Sequence, residues 1–359
     1  MAALDRDRAP VRFAVVTSVI SGLSVTAITA WSRGGVALWL GSAGALVAVL
    51  ALGFAWRRSR GGRQAFLMVS AFEGKYWVAE LIQHLHRSLD RSGMDLVLKV
   101  PDRDYDASAL AHHLRRVLAR RHQYIGGIIV VTEVDRLRKD LVDFCARSSL
   151  PVVFADVEPF NEERDYPANS VFVGYRSGDL GELAGSWLVQ HLIDTGQTRF
   201  RVLIIGGREH PWRQQRCAQV LRASNLDIAI ATDDTCAFVR SRAEHSVRAH
   251  LRQLHQKNER LDAVFCTNDE MALGAVDALR SDPMATADTV VIGIDGTAEA
   301  RALIDSGTSP FRATVVQDAN RIAQSVVDML EKLSTGQPVS KKTILTAEVY
   351  PAARSTVMS

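Results

Sequence analysis

From residue 65 onward, short apolar runs alternate with longer stretches in which apolar residues recur at helical spacing. Short continuous apolar runs are typical of buried strands, and the longer amphipathic stretches are typical of helices. Their alternation predicts parallel sheets covered by helices. The predicted strands are 65–70, 96–100, 127–131, 152–154, 170–173, 201–205, 228–231, 263–266, 289–294 and 313–316. The predicted helices are 77–92, 107–120, 137–148, 180–195, 214–224, 243–256, 271–280, 298–306 and 319–335.

These strands and helices fall into two successive series, one before and one after about residue 173. Two such series predict two similar lobes, with chain crossings near 173–175, 317 and 345. The first lobe then comprises residues 64–173 and 318–344, and the second comprises 174–317 and 345–359. Because ligands of open parallel sheets bind beyond the carboxyl ends of the strands, the residues that follow strands are the candidates for a site.

The first 63 residues differ from the rest, because they contain two long uncharged segments at 13–31 and 36–56. Each is long enough to cross a hydrocarbon core about 30 Å thick. We expect a short tail and a hairpin of two transmembrane helices, which makes the chain an integral protein of the cell (inner) membrane with the lipid bilayer as a partner. The alternative is that 13–31 is a cleaved signal peptide, since arginines at 6, 8 and 12 precede it.

Arginines also bear on the orientation of this hairpin. They stand at 6, 8 and 12 before it and at 57, 58, 60 and 63 after it, whereas the short link carries only Arg33. The positive-inside rule therefore favours a large domain that faces the cytoplasm. If the first segment does not span, one anchor helix remains and the domain lies on the periplasmic, extracytoplasmic side.

Charge and cysteines exclude several classes of function. The chain has 43 basic and 40 acidic residues, so its composition does not indicate a nucleic-acid partner. A helix-turn-helix would have to precede residue 65, where the apolar segments lie. The four cysteines show no metal-ligand spacing and are expected to be free thiols, with a Cys217–Cys236 disulfide left open.

Aromatic and polar residues follow most of the predicted strands. A sugar has apolar C–H faces and polar edges, so its site needs flat aromatic rings together with carboxylate and amide groups for the hydroxyls. The alternatives are core roles for the aromatics, a helix N-cap role for the asparagine at 268 and a solvated turn for the aspartate at 295. The candidates are Phe72, Glu73, Tyr76 and Trp77 after the first strand, and Thr132, Asp156, Asn268, Asp295 and Gln317 after later ones.

Three motifs together carry a family resemblance: N-D-E-M-A-L-G-A at 268–275, G-I-D-G-T at 293–297 and A-T-V-V-Q-D at 313–318. From about residue 65 to its end, the chain resembles the type I periplasmic sugar-binding family, the relatives of ribose-binding protein, whose fold also serves regulators of the lactose-repressor class. The resemblance implies an α/β fold with two doubly wound parallel sheets joined by a hinge, here preceded by two transmembrane helices.

The resemblance also implies roles for particular residues. Asn268, Asp295 and Gln317 match family positions that bind ligand hydroxyls. The paired aromatics of the family match Tyr76 and Trp77, and a further aromatic of the family matches Phe238 in A-F-V-R.

The chain departs from the family pattern at two places. Val157 follows Asp156 where ribose-like binders have an arginine, and Glu73 adds charge near the first strand. The family's second-lobe arginine falls near 212–216, which makes Arg213 and Arg216 candidates. We therefore expect the site to take a monosaccharide, a charged derivative or another small polar molecule.

The resulting prediction is a membrane-anchored solute-binding protein that closes on a small polar ligand by a hinge motion, for transport or sensing. The alternatives are a sensor or regulatory subunit for a non-sugar molecule and, thirdly, an enzyme. No paired nucleophile and base, metal-ligand cluster or phosphate loop stands out, so no catalytic residue, metal or cofactor is predicted. The expected protein partner is a transporter permease or a signalling protein in the membrane.

Overall fold

The computed structural model describes residues 63–72, 76–208, 210–282 and 288–351. The predicted membrane segments 13–31 and 36–56 lie outside these ranges, as does Glu73. No helix within the described ranges combines the length and apolar character needed to cross a bilayer.

The described residues form twelve strands and nine α-helices that alternate along most of the chain. The strands are β1 Arg63–Val69, β2 Met94–Lys99, β3 Tyr124–Val130, β4 Val152–Ala155, β5 Ser170–Gly174, β6 Arg199–Ile205, β7 Asp227–Asp233, β8 Ala263–Cys266, β9 Val290–Asp295, β10 Phe311–Val316, β11 Lys342–Ile344 and β12 Glu348–Pro351. The helices are α1 Tyr76–Arg91, α2 Ala107–Ala119, α3 Val134–Ser148, α4 Ser177–Asp194, α5 Pro211–Ala223, α6 Arg240–Gln256, α7 Asp269–Ser281, α8 Ala298–Asp305 and α9 Ala319–Ser334.

Two sheets, each six-stranded within the described residues, define two lobes. The first lobe contains the parallel sheet β11-β5-β4-β3-β1-β2, and the second contains β12-β10-β9-β8-β6-β7. In the second sheet β12 runs antiparallel to β10, while the other paired strands are parallel. The predicted two-lobed α/β fold with parallel sheets is confirmed.

The chain passes between the lobes three times: from β5 to α4, from β10 to α9 and from β11 to β12. Helix α9 follows a second-lobe strand but packs on α1 and on β3, β4 and β5 of the first lobe. Helix α4 follows a first-lobe strand but packs on α5 and on β9, β10 and β12 of the second. Each lobe is therefore built from discontinuous segments, and the crossings lie side by side at one edge of the sheets.

Burial of both sheet faces explains why the central strands read as continuous apolar runs. All residues of β4, β5, β8 and β9 are buried, which is typical of parallel strands covered by helices on both sides. Phe66 of β1 packs edge to face on Tyr124 and Phe144, with ring centroids 5.6 and 5.8 Å apart. These contacts hold α3 against the sheet.

The last two strands depend on pairing with their neighbours rather than on a local sequence pattern. The strands β11 and β12 were not predicted, because three and four residues are too short to show a period. Their backbones become strands by pairing with β5 and β10.

The four cysteines, all within the described ranges, are buried and free, which confirms the expected free thiols and excludes a Cys217–Cys236 disulfide in this structure.

Candidate ligand-binding site

A cavity of about 80 Å³ lies where the carboxyl ends of strands from both lobes meet. Its polar lining comes from segments that follow β1, β3 and β4 in the first lobe and β6, β8 and β9 in the second. Gln317, directly after β10, stands at a chain crossing and contributes to the same wall. The lining includes Ser70, Tyr76, Trp77, Tyr105, Thr132, Asp156, His210, Arg213, Phe238, Asn268, Glu270, Asp295 and Gln317.

The two aspartates in this cavity have unusual backbones. Asp156, directly after β4, has φ 66°, and Asp295, the last residue of β9, has φ 128°. A positive φ costs free energy in any residue other than glycine, and it persists only where surrounding contacts hold the backbone. Such strained residues are common at binding sites. Both carboxyl groups are buried and line the same cavity from opposite lobes.

Arg213, in the first turn of α5, links the polar groups of the cavity. Its Nη1 donates to the carbonyl oxygen of Thr267 at 2.9 Å, and its Nη2 donates to Oε1 of Gln317 at 2.8 Å. Gln317 in turn donates from Nε2 to Oδ1 of Asp156 at 3.3 Å. Nη1 of Arg213 lies 3.8 Å from Oδ1 of Asp295, so one guanidinium compensates two carboxyl groups.

Burial changes the proton affinity of the groups that face the cavity. Burial raises the pKa of Asp156, although the charge of Arg213 and the hydrogen bond from Gln317 oppose the rise. Burial raises the pKa of Asp295 well above its usual value; the nearby charge of Asp269 adds to the rise, and Arg213 opposes it. For His210, burial and the charge of Arg213 lower the pKa well below its usual value, so the imidazole is neutral.

Flat aromatic groups line the cavity from both lobes. Trp77 of α1 is 7% exposed, and its indole N–H donates to the carbonyl oxygen of Gln317 at 3.0 Å. Its ring therefore lines the cavity while its only polar atom is already bonded. Phe238, in the loop after β7, meets His210 edge to face with centroids 5.4 Å apart. Tyr76 is 66% exposed and lies at the rim.

The geometry of Asn268 allows both roles that the sequence left open, the helix N-cap and contact with a ligand. Its Oδ1 accepts a hydrogen bond from the backbone N–H of Met271 at 2.9 Å and so caps α7. Its Nδ2 forms no hydrogen bond with any residue that the structure describes, and the side chain lines the cavity. The cap therefore fixes an amide whose donor remains available to a ligand.

The structure brings nine of the predicted site residues to one cavity, whereas Phe72, which is exposed, and Arg216 lie outside its lining. Arg216 lies one turn further along α5 than Arg213, and its guanidinium pairs with Glu182 of α4 at the surface. Glu73 lies outside the described residues. Ligand binding by the others stays a prediction. They are Tyr76, Trp77, Thr132, Asp156, Arg213, Phe238, Asn268, Asp295 and Gln317.

Sequence reasoning missed several lining residues. Ser70, Tyr105 and Glu270 follow or precede predicted elements and could have been found by inspecting every strand end. His210 is the most informative omission. It is 9% exposed, and its ring nitrogens form no hydrogen bond with the residues that the structure describes. Its position between β6 and the proline that opens α5 was the available signal.

The polar groups of the cavity suit a hydroxylated molecule. Carboxylates accept hydrogen bonds from hydroxyl groups, while an amide, an imidazole and a guanidinium supply hydrogen-bond donors. Nε of Arg213 is buried without a hydrogen-bond partner in the described part of the chain. Within that part, no cluster of three histidine, cysteine or acidic side chains could hold a metal ion.

Three similar proteins match different shares of the chain. A Rhizobium meliloti protein named for rhizopine binding is 26% identical over 230 residues, 63% of this chain and 71% of that protein. The transcriptional repressor PurR of Mannheimia succiniciproducens is 25% identical over 79% of this chain and 78% of its own length. The ribose import binding protein RbsB of Salmonella typhimurium is 37% identical over 82 residues, 23% of this chain and 26% of its own.

Solved structures show the same fold. A periplasmic solute-binding protein of an ABC transporter from Actinobacillus succinogenes, with bound D-allose, superposes with a TM-score of 0.68 at 16% identity, over 81% of this chain and 98% of its own. The fructose-binding periplasmic domain of the hybrid two-component system BT1754 superposes with a TM-score of 0.67 at 17% identity, over 82% of this chain and 91% of its own.

The family with the description "periplasmic binding protein domain" matches residues 66–338, which span both lobes and the whole cavity. The match covers well over half of the chain and includes every residue of the three motifs that carry the resemblance. The expectation that the chain is not an enzyme is confirmed by this match together with its binding-protein relatives. The chain is a binding protein and belongs to the periplasmic binding protein domain family.

Proposed function

We propose that the chain is a membrane-anchored receptor that encloses one sugar molecule between its two lobes. One observation carries the proposal: buried polar side chains from both lobes converge on one cavity beside Trp77 and Phe238. A group buried without a partner costs about 1–3 kcal/mol. A ligand whose edges carry many hydroxyls satisfies such groups, and its C–H faces suit the aromatic rings.

Similar proteins support a sugar as the ligand class. A neighbour in fold holds D-allose, another is named for fructose, and the matched segment of RbsB belongs to a ribose import protein. A charged derivative is the second candidate, because Asp156 and Asp295 share one guanidinium and Val157 stands where ribose-like binders have an arginine. An amine on the ligand would supply the missing positive charge.

Hinge closure is the mechanism we propose for capture. The three crossings lie together at one edge, where Asp318 donates from its backbone N–H to the hydroxyl of Tyr175 at 3.2 Å. Rotation about these crossings opens the cavity without disturbing either sheet. A ligand that contacts Asp156 in one lobe and Asp295 in the other stabilises the closed form.

The proposed anchor consists of residues 13–31 and 36–56, which would hold the receptor in the cell membrane. Such a tether suits delivery of ligand to a transporter permease and suits a sensor that reports occupancy to a signalling protein. An ABC transporter component and a domain of a two-component system are both among the neighbours in fold. The arginines that flank the hairpin favour a cytoplasmic domain over an extracytoplasmic one.

Binding is tested with the full chain in detergent micelles, by thermal shift and calorimetry. The ligands are D-ribose, D-allose, L-arabinose, D-fructose, myo-inositol and D-glucosamine. We expect one of them to stabilise the chain, and Asp156→Asn to weaken that binding by about 1–3 kcal/mol. Arg216→Gln is the matched control, because it removes a neighbouring charge outside the cavity. If no member of the panel binds the parent chain, the proposal of a sugar receptor is wrong.

The side of the membrane is tested with Lys257→Cys and an impermeant thiol reagent on intact cells. Residue 257 is exposed, whereas all four native cysteines are buried, so the label reports one site. A cytoplasmic domain reacts only after the cells are lysed. Labelling of intact cells, or of spheroplasts where an outer membrane exists, would instead establish an extracytoplasmic domain.

A further inference from the structure

Asp269 is a fully buried carboxyl group that does not line the cavity, although it directly follows Asn268 at the start of α7. Its Oδ2 accepts a hydrogen bond from the backbone N–H of Thr297 at 2.7 Å. Its Oδ1 accepts one from Oγ1 of Thr314, in β10, at 2.7 Å. The carboxylate therefore ties the start of α7 to β10 and to the segment after β9.

That segment is the turn that carries Asp295. The hydroxyl oxygen of Thr314 also accepts a hydrogen bond from the backbone N–H of Gly296 at 3.2 Å. Asp269 and Thr314 together thus hold the two residues that follow Asp295. Glycine at position 293 of β9 leaves room for this carboxylate, because a Cβ added there would lie 2.3 Å from Oδ1 of Asp269.

The turn needs such a hold, because its backbone is strained. Asp295 has φ 128°, a value that residues with a side chain rarely adopt because it costs free energy. Gly296, with φ 76°, completes the bend. Hydrogen bonds on the two following residues oppose relaxation of the strand, which would withdraw the Asp295 carboxyl group from the cavity.

We infer that Asp269 is a positioning residue, whose carboxylate holds the Asp295–Thr297 turn so that Asp295 points at the ligand. The inference rests on the proposed function for its effect on binding. The first two residues of the N-D-E-M-A-L-G-A motif, Asn268 and Asp269, then have different roles. Asn268 offers an amide to the ligand, whereas Asp269 acts through Asp295.

Electrostatics supply a readout that a purely structural role would not change. Burial raises the pKa of Asp269, although hydrogen bonds from Thr314, Thr297 and Gly296 oppose the rise. The charge of Asp269 in turn helps to raise the pKa of Asp295. The charged or titratable groups around Asp295 are Asp156, His210, Arg213, Asp269 and Glu270.

The sign of the pH effect follows from these charges. Ionised Asp295 accepts two hydroxyl hydrogen bonds, so sugar binding is strongest above its pKa and is lost as the pH falls through that value. Burial raises the pKa of Asp269 to about 7, so its carboxyl group is ionised above that pH; Asp269→Asn removes this negative charge and therefore lowers the pKa of Asp295. The acidic limb of the binding profile should move to lower pH in this variant.

The test measures sugar binding by the full chain in micelles from pH 4 to 8, with D-allose or whichever panel sugar binds best. We expect Asp269→Asn to weaken binding about tenfold or more at pH 7.5 and to shift the acidic limb to lower pH. Asp262→Asn is the matched control: this half-buried aspartate precedes β8 at the opposite end and accepts a hydrogen bond from the backbone N–H of Arg201 at 2.7 Å. Binding within twofold of the parent, or an unmoved acidic limb, overturns the inference.

A milder variant guards against misfolding of the first. Thr314→Val removes the hydroxyl that bridges Asp269 and Gly296, and we expect a smaller loss of affinity. The two substitutions together should cost less than the sum of the separate losses, because they break one network. Additive losses would contradict a shared role.

Hydrogen exchange gives a readout without ligand. The peptide that contains Thr297 should exchange faster in Asp269→Asn than in the parent and the Asp262→Asn control, because its amide loses the carboxylate acceptor. If no panel sugar binds the parent, the proposed function fails, and unchanged exchange at this peptide then separately overturns the inference.

Discussion

Asp295 combines two unfavourable features at one residue, a positive φ and a buried carboxyl group whose pKa is raised. Burial is the main cause of the raised pKa, and the neighbouring charge of Asp269 adds to it. A protein retains such a residue only if something offsets its cost. Under the proposed function, contact with ligand hydroxyls offsets this cost.

Asp295→Asn should therefore separate stability from binding. A raised pKa contributes stability that is present below the unfolded value near 4 and is lost as the pH rises through the folded value. The parent's free energy of unfolding, measured with urea and without ligand, should fall between pH 4 and 8 more steeply than that of the variant. Sugar binding by the variant should be weaker by about 1–3 kcal/mol at pH 7.5. Parallel stability profiles would contradict the raised pKa.

His210 is the residue at which a conservative aromatic substitution is most informative. The neutral imidazole packs edge to face on Phe238 and has no hydrogen bond to described residues. His210→Phe keeps the ring contact and removes both nitrogens. We expect affinity to fall by about 1 kcal/mol with no loss of thermal stability. Calorimetry with unchanged affinity would show that the imidazole does not contact the ligand.

At the level of elements, α7 begins with a cap that doubles as a wall of the cavity. Oδ1 of Asn268 satisfies the N–H of Met271, so the rotamer is set by the helix rather than by the ligand. Preorganised in this way, the amide loses little entropy on binding. The same logic applies to Trp77, whose bonded indole N–H fixes its ring against Gln317.

Two substitutions of Asn268 should separate capping from binding. Serine is as good an N-cap as asparagine but lacks the amide donor, whereas alanine lacks both functions. Asn268→Ser should retain thermal stability and lose affinity, while Asn268→Ala should lose affinity and also about 1 kcal/mol of stability. Chemical denaturation and calorimetry measure the two effects. Full affinity in the serine variant would leave the cap as the residue's sole role.

At the level of the whole molecule, the order of strands predicts where motion is greatest. The crossings leave from β5, β10 and β11, near one edge of each sheet, whereas β2 and β7 form the opposite edges. Closure about the crossings therefore changes distances most between the ends of β2 and β7. Arg103 and Asp234 follow these two strands, and both side chains reach the surface.

Spin labels on Arg103→Cys and Asp234→Cys should report this closure in the full chain. The native cysteines are buried, so labelling is confined to the new sites. We expect a shorter and narrower distance distribution when D-allose, or the panel sugar that binds, is added. The same labels in Asp295→Asn should show little change at that sugar concentration. An identical distribution with and without sugar in the parent would contradict hinge closure.

The sequence by itself determined the order of strands and helices and the positions at which a site could form. Apolar runs specify the central strands β4, β5, β8 and β9, because these strands are buried on both sheet faces. Asp156, Asn268, Asp295 and Gln317 were predictable because parallel strands bring their carboxyl ends to one edge. The three motifs placed the chain near its family before any contact was known.

Only the tertiary structure decided which side chains meet and what each is free to do. Arg213 and Arg216 are the same residue type three positions apart on one helix. Arg213 lies at the cavity and bonds Gln317, whereas Arg216 pairs with Glu182 at the surface. The tertiary structure also added His210 to the cavity and assigned Asp269 to the turn that carries Asp295. Local pattern reports burial and period, whereas these roles depend on partners distant in sequence, and only folding brings such partners together.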